Sequence, residues 1–418
     1  MIKNLVVFIA CLLTPGLALA DWAETPVAIN SNVSSTDPHL CSGKRIVAYS
    51  TSIFTLAAEG TGGNSVIYRS TNGGSSWTSL EDYTASGSGS LVVDSDGTIY
   101  YFFKSGSSIY MARFEYDASP PSSATAIDTG LSASGLAAYD VVWAGIDEDE
   151  YLYVTYSQSS SIYVIVSSDG GDNWGTPVEL SSGLSSLEWY YGAIEATDDN
   201  TMVVSYTNLS ADGSGYQQIY MSYSTDHGAS WTRRTVSTGS SVYNPVILPI
   251  SGDEIWMFAQ KRTGSDGLAI NKSTDLGQNW DGWSIVEDGW YADPGAALLS
   301  NGDVFVIFRD GTSSGSDHRE KAVLWDDSES SWSTVKDYSQ SPYSYERPAT
   351  RSAAFFQTFH NGGSDLFWTW MQYDNSGANR DTYFDSNPDL SLMEVSSGGG
   401  VSVISVGGSG SVSFGGAN

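Results

Sequence analysis

Residues 224–231 read Ser-Thr-Asp-His-Gly-Ala-Ser-Trp and fit the template Ser-x-Asp/Asn-x-Gly-x-x-Trp, which recurs elsewhere in the chain. The template predicts a tight hairpin turn. In such a turn the Asp or Asn oxygen accepts backbone N–H bonds, the glycine is left-handed, and the tryptophan packs beneath. We therefore interpret the aspartates of the template as folding devices rather than catalytic acids. The other copies are residues 70–77, 167–174 and 273–280.

The spacing of these copies indicates a repeat of about 50 residues, a length typical of propeller blades. The copies start at residues 70, 167, 224 and 273, so the first interval is about twice each later one. A degenerate copy is therefore expected within it. We place that copy at Phe114–Asp117, a further degenerate copy at Trp325–Trp332 and a last, eroded one at Tyr383–Asn387. The chain then contains seven units.

One unit shows the expected fold of each repeat. The fifth reads as strand Val246–Ile250, a Ser-Gly-Asp turn, strand Glu254–Gln260, strand Leu268–Lys272, the template turn and strand Trp283–Val286. Four short strands joined by tight turns make one propeller blade. The sequence thus predicts an all-β, seven-bladed β-propeller, with six blades as the alternative.

The two ends of the chain differ from the repeats. Lys3, the apolar run Leu5–Leu13 and the small residues before Asp21 predict a signal peptide over residues 1–20. The propeller is expected over 21–395, and a Gly/Ser-rich tail over 396–418. Because Cys41 would be the only cysteine after cleavage, no intramolecular disulfide is expected. We predict a secreted protein, extracellular or periplasmic, of bacterial type.

Charge and motif content exclude several classes of function. The formal net charge is −30, which argues against nucleic acid as a partner and against anionic membrane surfaces. No segment after the signal peptide predicts membrane insertion. Zinc spacings, phosphate-binding loops and serine nucleophile elbows are missing from the sequence, and we interpret the acidic run Asp147–Glu150 as a solvated turn rather than a Ca²⁺ loop. No metal and no cofactor are predicted.

The template turns make residues 35–395 resemble the sialidase-like propellers, also called the BNR-repeat or Asp-box superfamily. That group contains sialidases, other glycoside hydrolases, polysaccharide lyases such as ulvan lyases, and non-catalytic glycan binders. The resemblance implies that the turns lie opposite the working face. That face would be built by the connections between blades and by the loops between second and third strands.

The resemblance to sialidases implies three arginines that hold a carboxylate, since a planar guanidinium binds one in bidentate fashion. The matching residues are Arg45, which lacks the proline of the usual Arg-Ile-Pro motif, together with Arg309 and Arg380. Asp293 stands before Arg309, where sialidases usually carry glutamate. The tyrosine nucleophile is missing from its usual context, because the only tyrosine after Arg380 is Tyr383 within a predicted strand.

A polysaccharide lyase is the rival enzyme. Elimination from a uronate requires a base and cations that neutralise the substrate carboxylate. Tyr243 with Lys261 and Arg262, or Tyr291 with Arg309, could supply these groups. Of the histidines, we consider only His318 a plausible catalytic residue.

The sequence therefore predicts a carbohydrate-active propeller acting on sialic- or uronic-acid-containing polysaccharides or glycans, either a sialidase-like hydrolase or a lyase. The alternative is a glycan-binding or adhesion module without catalysis, in which Trp189, Trp290 and neighbouring tyrosines stack on sugar rings. A structural role is also open, with these aromatic residues filling the central channel and Arg309 pairing with Asp310.

Overall fold

All regular structure in the described part of the chain is β-strand. The computed structural model describes residues 27–33, 46–59, 64–83, 89–127, 142–158, 161–184, 193–197, 199–209, 217–237, 242–261, 267–289, 291–299, 301–310, 319–337, 346–348, 367–373, 380–386, 395–397 and 400–402. Across these ranges no helix is long and apolar enough to span a membrane. The strands are rich in Val, Ile, Tyr and Phe, the residue types that suit a pleated sheet.

Strand β1 (Val27–Val33) comes first and is followed by six sheets in chain order. The first three sheets are β2 (Ile46–Tyr49), β3 (Ser52–Glu59), β4 (Asn64–Ser70) and β5 (Thr78–Tyr83); β6 (Gly89–Val93), β7 (Thr98–Ser105), β8 (Ser108–Glu115) and β9 (Thr125–Ile127); and β10 (Trp143–Ile146), β11 (Leu152–Gln158), β12 (Ser161–Ser167) and β13 (Val178–Glu179).

The next three sheets repeat this arrangement, and two short strands of the sixth sheet both pair with β24. They are β14 (Ala193–Ala196), β15 (Met202–Leu209), β16 (Gln217–Ser224) and β17 (Thr232–Ser237); β18 (Val242–Ser251), β19 (Glu254–Lys261), β20 (Gly267–Ser273) and β21 (Ser284–Asp288); and β22 (Tyr291–Leu298), β23 (Val304–Asp310), β24 (Arg319–Asp326), β25 (Ser331–Trp332) and β26 (Lys336–Asp337).

The seventh sheet joins the two ends of the chain. Its strands β27 (Glu346–Pro348), β28 (Phe367–Tyr373) and β29 (Arg380–Ser386) pair in order, and β1 completes the sheet by pairing with β29. In this register Val27 lies opposite Phe384. The sequence did not predict this closing strand. A hairpin of β30 (Val395–Ser397) and β31 (Gly400–Ser402) follows.

The first strands of successive sheets lie side by side. Contacts run from β2 through β6, β10, β14, β18 and β22 to β27, and β28 contacts β2. Side chains of neighbouring sheets interlock between them, as where Phe54 and Leu56 pack with Leu91 and Tyr101. The predicted all-β propeller is therefore confirmed. Seven blades stay a prediction, and the described residues form seven sheets of four or five strands.

The degenerate copies of the template lie at the ends of third strands, the position that the template turns occupy in the other sheets. Phe114–Asp117 covers the end of β8 and the turn after it, and Trp325–Trp332 covers the turn from β24 to β25. Tyr383–Ser386 ends β29, the third strand of the seventh sheet. Because the fourth strand of that sheet is β1, no hairpin turn has to follow β29, which explains why this copy is eroded.

Candidate functional site

The four template turns are built by the same side-chain hydrogen bonds. In each, the serine Oγ accepts the N–H of the glycine four residues on, at 2.8 or 2.9 Å. The Asp or Asn Oδ1 accepts the N–H four residues beyond itself, at 2.8 to 3.0 Å. The glycines have φ between 73° and 89°. The predicted turn chemistry is confirmed at residues Asn72, Asp169, Asp226 and Asp275.

These hydrogen bonds also determine the ionisation of the turn carboxylates. Bonds from Asn173, Ser230 and Asn279 lower the pKa of Asp169, Asp226 and Asp275 respectively. A carboxylate that is held ionised and bonded within its own turn is a poor proton donor. The interpretation of these aspartates as structural groups therefore agrees with their contacts.

The template turns define two ends of the sheets. They join third to fourth strands, so they lie at the end where second strands begin. We call the opposite end, where first strands begin and second strands finish, the far end. A functional residue predicted at a strand terminus can thus be assigned to one end from the backbone alone.

The sixth sheet brings three predicted residues to the far end. Strands β22 and β23 are antiparallel, with Tyr291 opposite Asp310 and Ala292 opposite Arg309. The next pair is Gly295 with Ile307, so Asp293 lies in a β-bulge. The backbones of Tyr291, Asp293 and Arg309 are therefore neighbours.

The fifth sheet has the same bulge in its first strand. Tyr243 lies opposite Gln260, and the next register pair is Val246 with Phe258. The intervening Asn244-Pro245 corresponds to Asp293-Pro294 of the sixth sheet. Lys261, a half-buried residue, ends β19 at this same far end.

Arg380 adds a third sheet to the far end. It begins β29, lies opposite Tyr373 at the end of β28, and pairs with Val33 of β1. For Tyr243, Tyr291, Asp293, Arg309 and Arg380 only the backbone is described. The predicted residues Arg45, Arg262, Trp290, Trp189 and His318 lie outside the described residues.

Register alignment reveals a further set of residues that sequence reasoning missed. Each sits five positions after a fully buried apolar residue at or next to the start of its second strand, and the four with described side chains are 1% to 5% exposed. The register pairs of those apolar residues, which define this alignment, are Val93 with Ile99, Ile146 with Leu152, Ala196 with Met202, Pro249 with Ile255 and Leu298 with Val304. We call this set the polar tier: Lys104, Ser157, Thr207, Gln260 and Arg309.

The polar tier lies at the far end of five consecutive sheets. The residues before it in each strand are mainly apolar and buried, as in the run from Ile99 to Phe103 before Lys104. A polar residue closing such a strand is a signal visible in the sequence. Only the register, however, shows that the five positions are equivalent.

The acidic run on the opposite end is exposed at Glu148, Asp149 and Glu150, as predicted for a solvated turn, and only Asp147 differs from the prediction. The Asp147 side chain is fully buried, and it accepts hydrogen bonds from Tyr153 Oη at 2.7 Å and the Tyr151 N–H at 2.8 Å. Nδ1 of His227 lies 3.0 Å from it. His227 belongs to the fourth sheet, so the buried Asp147 has partners from two sheets. Among the described residues, no group of three or more His, Cys, Asp or Glu is placed to hold a metal ion.

Comparison with known proteins identifies the class of this fold. A family model, the BNR repeat-like domain, matches residues 149–356. The predicted resemblance to the sialidase-like, BNR-repeat propeller superfamily is therefore confirmed. No curated protein matches the sequence.

Solved structures share the architecture at low sequence identity. An ulvan lyase of polysaccharide lyase family PL25, bound to -[GlcA(1-4)Rha3S]-, is 10% identical with a TM-score of 0.57, covering 86% of this chain and 95% of its own. Polysaccharide lyase Uly1 is 11% identical with a TM-score of 0.52, covering 88% and 99%. The Hadza microbial sialidase Hz136 is 15% identical with a TM-score of 0.44, covering 72% and 65%. At such identities the likeness shows the fold.

Proposed function

We propose that this chain is a carbohydrate-active protein that binds and cleaves an anionic glycan at its far end. The observation that carries the proposal is the presence of cationic residues at the far end of three consecutive sheets. Lys261 ends β19, Arg309 stands in the last pairs of β23, and Arg380 begins β29.

The overall charge makes this clustering informative. A chain with 48 acidic and 18 basic residues repels an anionic ligand from most of its surface. Cations at the far end attract such a ligand locally, and guanidinium groups bind carboxylates in bidentate fashion. The ligand class that fits is a glycan carrying sialic or uronic acid.

Two reactions suit the residues beside these cations. In a lyase, Tyr291 or Tyr243 removes the C5 proton next to the uronate carboxylate while Arg309 neutralises that carboxylate. The C4–O glycosidic bond then breaks as the C4=C5 double bond forms, and the leaving oxygen takes up a proton. In a sialidase-like hydrolase, Asp293 acts as an acid or base at the glycosidic bond. Of the three solved structures described above, the two with TM-scores over 0.5 are lyases, and one of them is an ulvan lyase. This supports the lyase as the first reaction to test.

Secretion is part of the proposal. A signal peptide over residues 1–20 would deliver the propeller to the extracellular or periplasmic space, where polymeric glycans occur. Expression in a bacterial host followed by N-terminal sequencing of the exported protein tests this, and a start near Asp21 is expected.

The activity test uses the purified protein with ulvan, alginate, polygalacturonate and sialyllactose. Unsaturated uronate absorbance and new reducing ends are followed together, with Arg309→Ala as the test variant. Arg233→Ala is the matched control, because Arg233 belongs to the outer strand β17 and donates to the Ser182 carbonyl at 2.8 Å.

Each result selects one function. Absorbance that Arg309→Ala abolishes and Arg233→Ala retains establishes a lyase. Reducing ends or free sialic acid without absorbance establish a hydrolase. Binding without cleavage by the wild type establishes the alternative, a glycan-binding module, and absence of both overturns the proposal for these glycans.

A further inference from the structure

We infer that Gln260 is a specificity-determining residue that hydrogen-bonds the bound acidic glycan, an inference that rests on the proposed function. Gln260 is 1% exposed. Its Oε1 is buried and has no hydrogen-bond partner among the described residues. An unpaired buried carbonyl destabilises a fold, and such groups in native proteins commonly serve a ligand or a reaction.

The position of Gln260 in the repeat points to the site. It lies opposite Tyr243 and directly precedes Lys261. The bulges in β18 and β22 make Gln260 the equivalent of Arg309 in the next sheet. The residue that holds the substrate carboxylate in the proposed function therefore has a neutral amide as its counterpart one sheet earlier.

The face of the strand that carries Gln260 is also determined. Side chains alternate along a strand, so Gln260 shares a face with Trp256 and Phe258. Those two pack in one cluster with Val306 and Phe308 of the sixth sheet. Gln260 thus lies on the side of β19 that packs on the sixth sheet, at the far end.

This placement puts Gln260 at the same end of the sheets as all three predicted catalytic residues. Strand β22 contacts β19 and begins at the far end with Tyr291, followed by Asp293 in its bulge. Tyr243 is the register partner of Gln260 within its own sheet. A carboxamide at this end can accept from a sugar hydroxyl through Oε1 and donate to a hydroxyl or carboxylate through Nε2.

The chemistry of the side chain limits its role. A neutral amide neither removes a proton nor neutralises a full charge, so Gln260 reads the hydroxyl pattern of the sugar rather than its charge. A site that hydrogen-bonds a substrate hydroxyl discriminates strongly against ligands that cannot pair with it. Gln260 therefore selects among acidic sugars that Arg309 alone would accept equally.

The test measures binding and folding of full-length variants. Gln260→Met keeps the shape and removes the hydrogen bonds, Gln260→Glu keeps the shape and adds a negative charge, and Gln278→Met repeats the first change in the template turn at the other end. Calorimetric titration uses the glycan that the wild type binds most tightly among ulvan, alginate, polygalacturonate and sialyllactose, and the Tm of each variant is recorded.

We expect Gln260→Met to weaken binding about tenfold, the loss of one hydrogen bond, and Gln260→Glu to weaken it further. The Tm of Gln260→Met should equal or exceed that of the wild type, because an unpaired buried group is removed, and Gln278→Met should bind normally. Unchanged affinity of Gln260→Met, or a lowered Tm, overturns the inference about Gln260 and leaves the proposed function standing. Failure of the wild type to bind any of the four glycans overturns the proposed function, and the inference with it.

Discussion

Nδ1 of His227 lies 3.0 Å from Oδ2 of the buried Asp147, so a template turn of the fourth sheet is joined to the first turn of the third. The imidazole also stacks on Tyr151, with ring centroids 4.4 Å apart. Its Nε2 lies 3.6 Å from Asp149. The template turn thus contributes to packing between sheets as well as to its own hairpin.

Two substitutions of His227 should separate the stability that this contact contributes from the free-energy cost of the left-handed backbone at this residue. His227 has φ 54°, a left-handed conformation that costs a residue with a Cβ about 1 kcal/mol or more. His227→Ala loses the bond to a buried carboxylate and keeps that cost, so we expect destabilisation by about 2 kcal/mol. His227→Gly should be roughly 1 kcal/mol more stable than His227→Ala. Urea unfolding measures both, and equal stabilities would show that the left-handed backbone carries no strain.

The template glycines pack against the preceding sheet. A Cβ built on Gly228, with φ +80°, would lie 2.6 Å from Cγ2 of Val166 in β12. Gly183 has the same φ and nothing within 4 Å of such a Cβ. Both Gly→Ala substitutions place a Cβ on a left-handed backbone, which destabilises each variant. Only Gly228→Ala also overpacks the space beside Val166, which should cost a further amount of about 1–3 kcal/mol. Thermal unfolding of the two variants should show that difference, and matching Tm values would contradict the close approach.

Closure of the ring by β1 can be tested at Ile29. This residue is buried in a cluster with Ile46, Ile53 and Tyr68 of the first sheet. Ile29→Ala should cost about 2–5 kcal/mol, and Ile29→Val about 0.5–1.5 kcal/mol, because a buried side chain is shortened by different amounts. Denaturant titration distinguishes these values. Wild-type stability in Ile29→Ala would mean that β1 contributes little to the closed fold.

The sequence was sufficient for features that depend on local chemistry. A template turn is determined within eight residues, since Ser224 and Asp226 bond to N–H groups four positions away. The strands of the fifth unit follow from alternation and turn residues. The first three predicted segments lie within β18, β19 and β20, and the fourth begins at Trp283, one residue before β21. The neighbouring backbones of Asp293 and Arg309 belong to two strands joined by a short turn, so their proximity was predictable as well.

Features that depend on distant contacts could not be predicted. The pairing of Val27 with Phe384 joins residues from opposite ends of the chain. One partner of the buried Asp147 is His227, 80 residues away. Gln260 resembles any polar residue at a strand end until the register shows it opposite Tyr243 and equivalent to Arg309. Nothing in the local sequence encodes these relationships.

The template carboxylates predict a specific response to acid. Hydrogen bonds lower the pKa of Asp169, Asp226 and Asp275 in the folded state. The unfolded chain therefore binds more protons as the pH falls below about 4, and the stability that these groups contribute is lost in that range. Asn72 fills the same position in the first turn, so a triple Asp→Asn variant should fold without this titration.

The measurement is the Tm of wild type and triple variant between about pH 5 and pH 2.5, a range that spans ordinary aspartate titration. The other carboxylates are common to both proteins, so the difference isolates the three turns. We expect the advantage of the wild type to shrink as the pH falls. Asp117→Asn, in the exposed turn after β8, is the control and should follow the wild type. A difference that is constant with pH would contradict the assigned hydrogen bonds.

The two proposed reactions make opposite demands on the residues at the start of β22. A lyase that uses Tyr291 as its base needs the phenol oxygen, so Tyr291→Phe should reduce kcat about 100-fold or more and leave KM nearly unchanged. Asp293→Asn should then have a small effect, because the carboxylate takes no part in the elimination. In a hydrolase Asp293→Asn should have the larger effect on kcat and Tyr291→Phe the smaller one, because loss of the acid at Asp293 removes proton transfer to the leaving group.

Tyr243→Phe completes the comparison, because Tyr243 is the candidate base of the fifth sheet and lies opposite Gln260, the counterpart of Arg309. If Tyr243 is the base instead, its variant loses kcat and Tyr291→Phe retains it. The four proteins are compared at matched concentration on the best substrate, by initial rates of absorbance and of reducing-end formation. Wild-type rates in all three variants would show that Tyr243, Tyr291 and Asp293 take no part in catalysis. The cations at this end of the fifth and sixth sheets would then form a binding surface without a reaction.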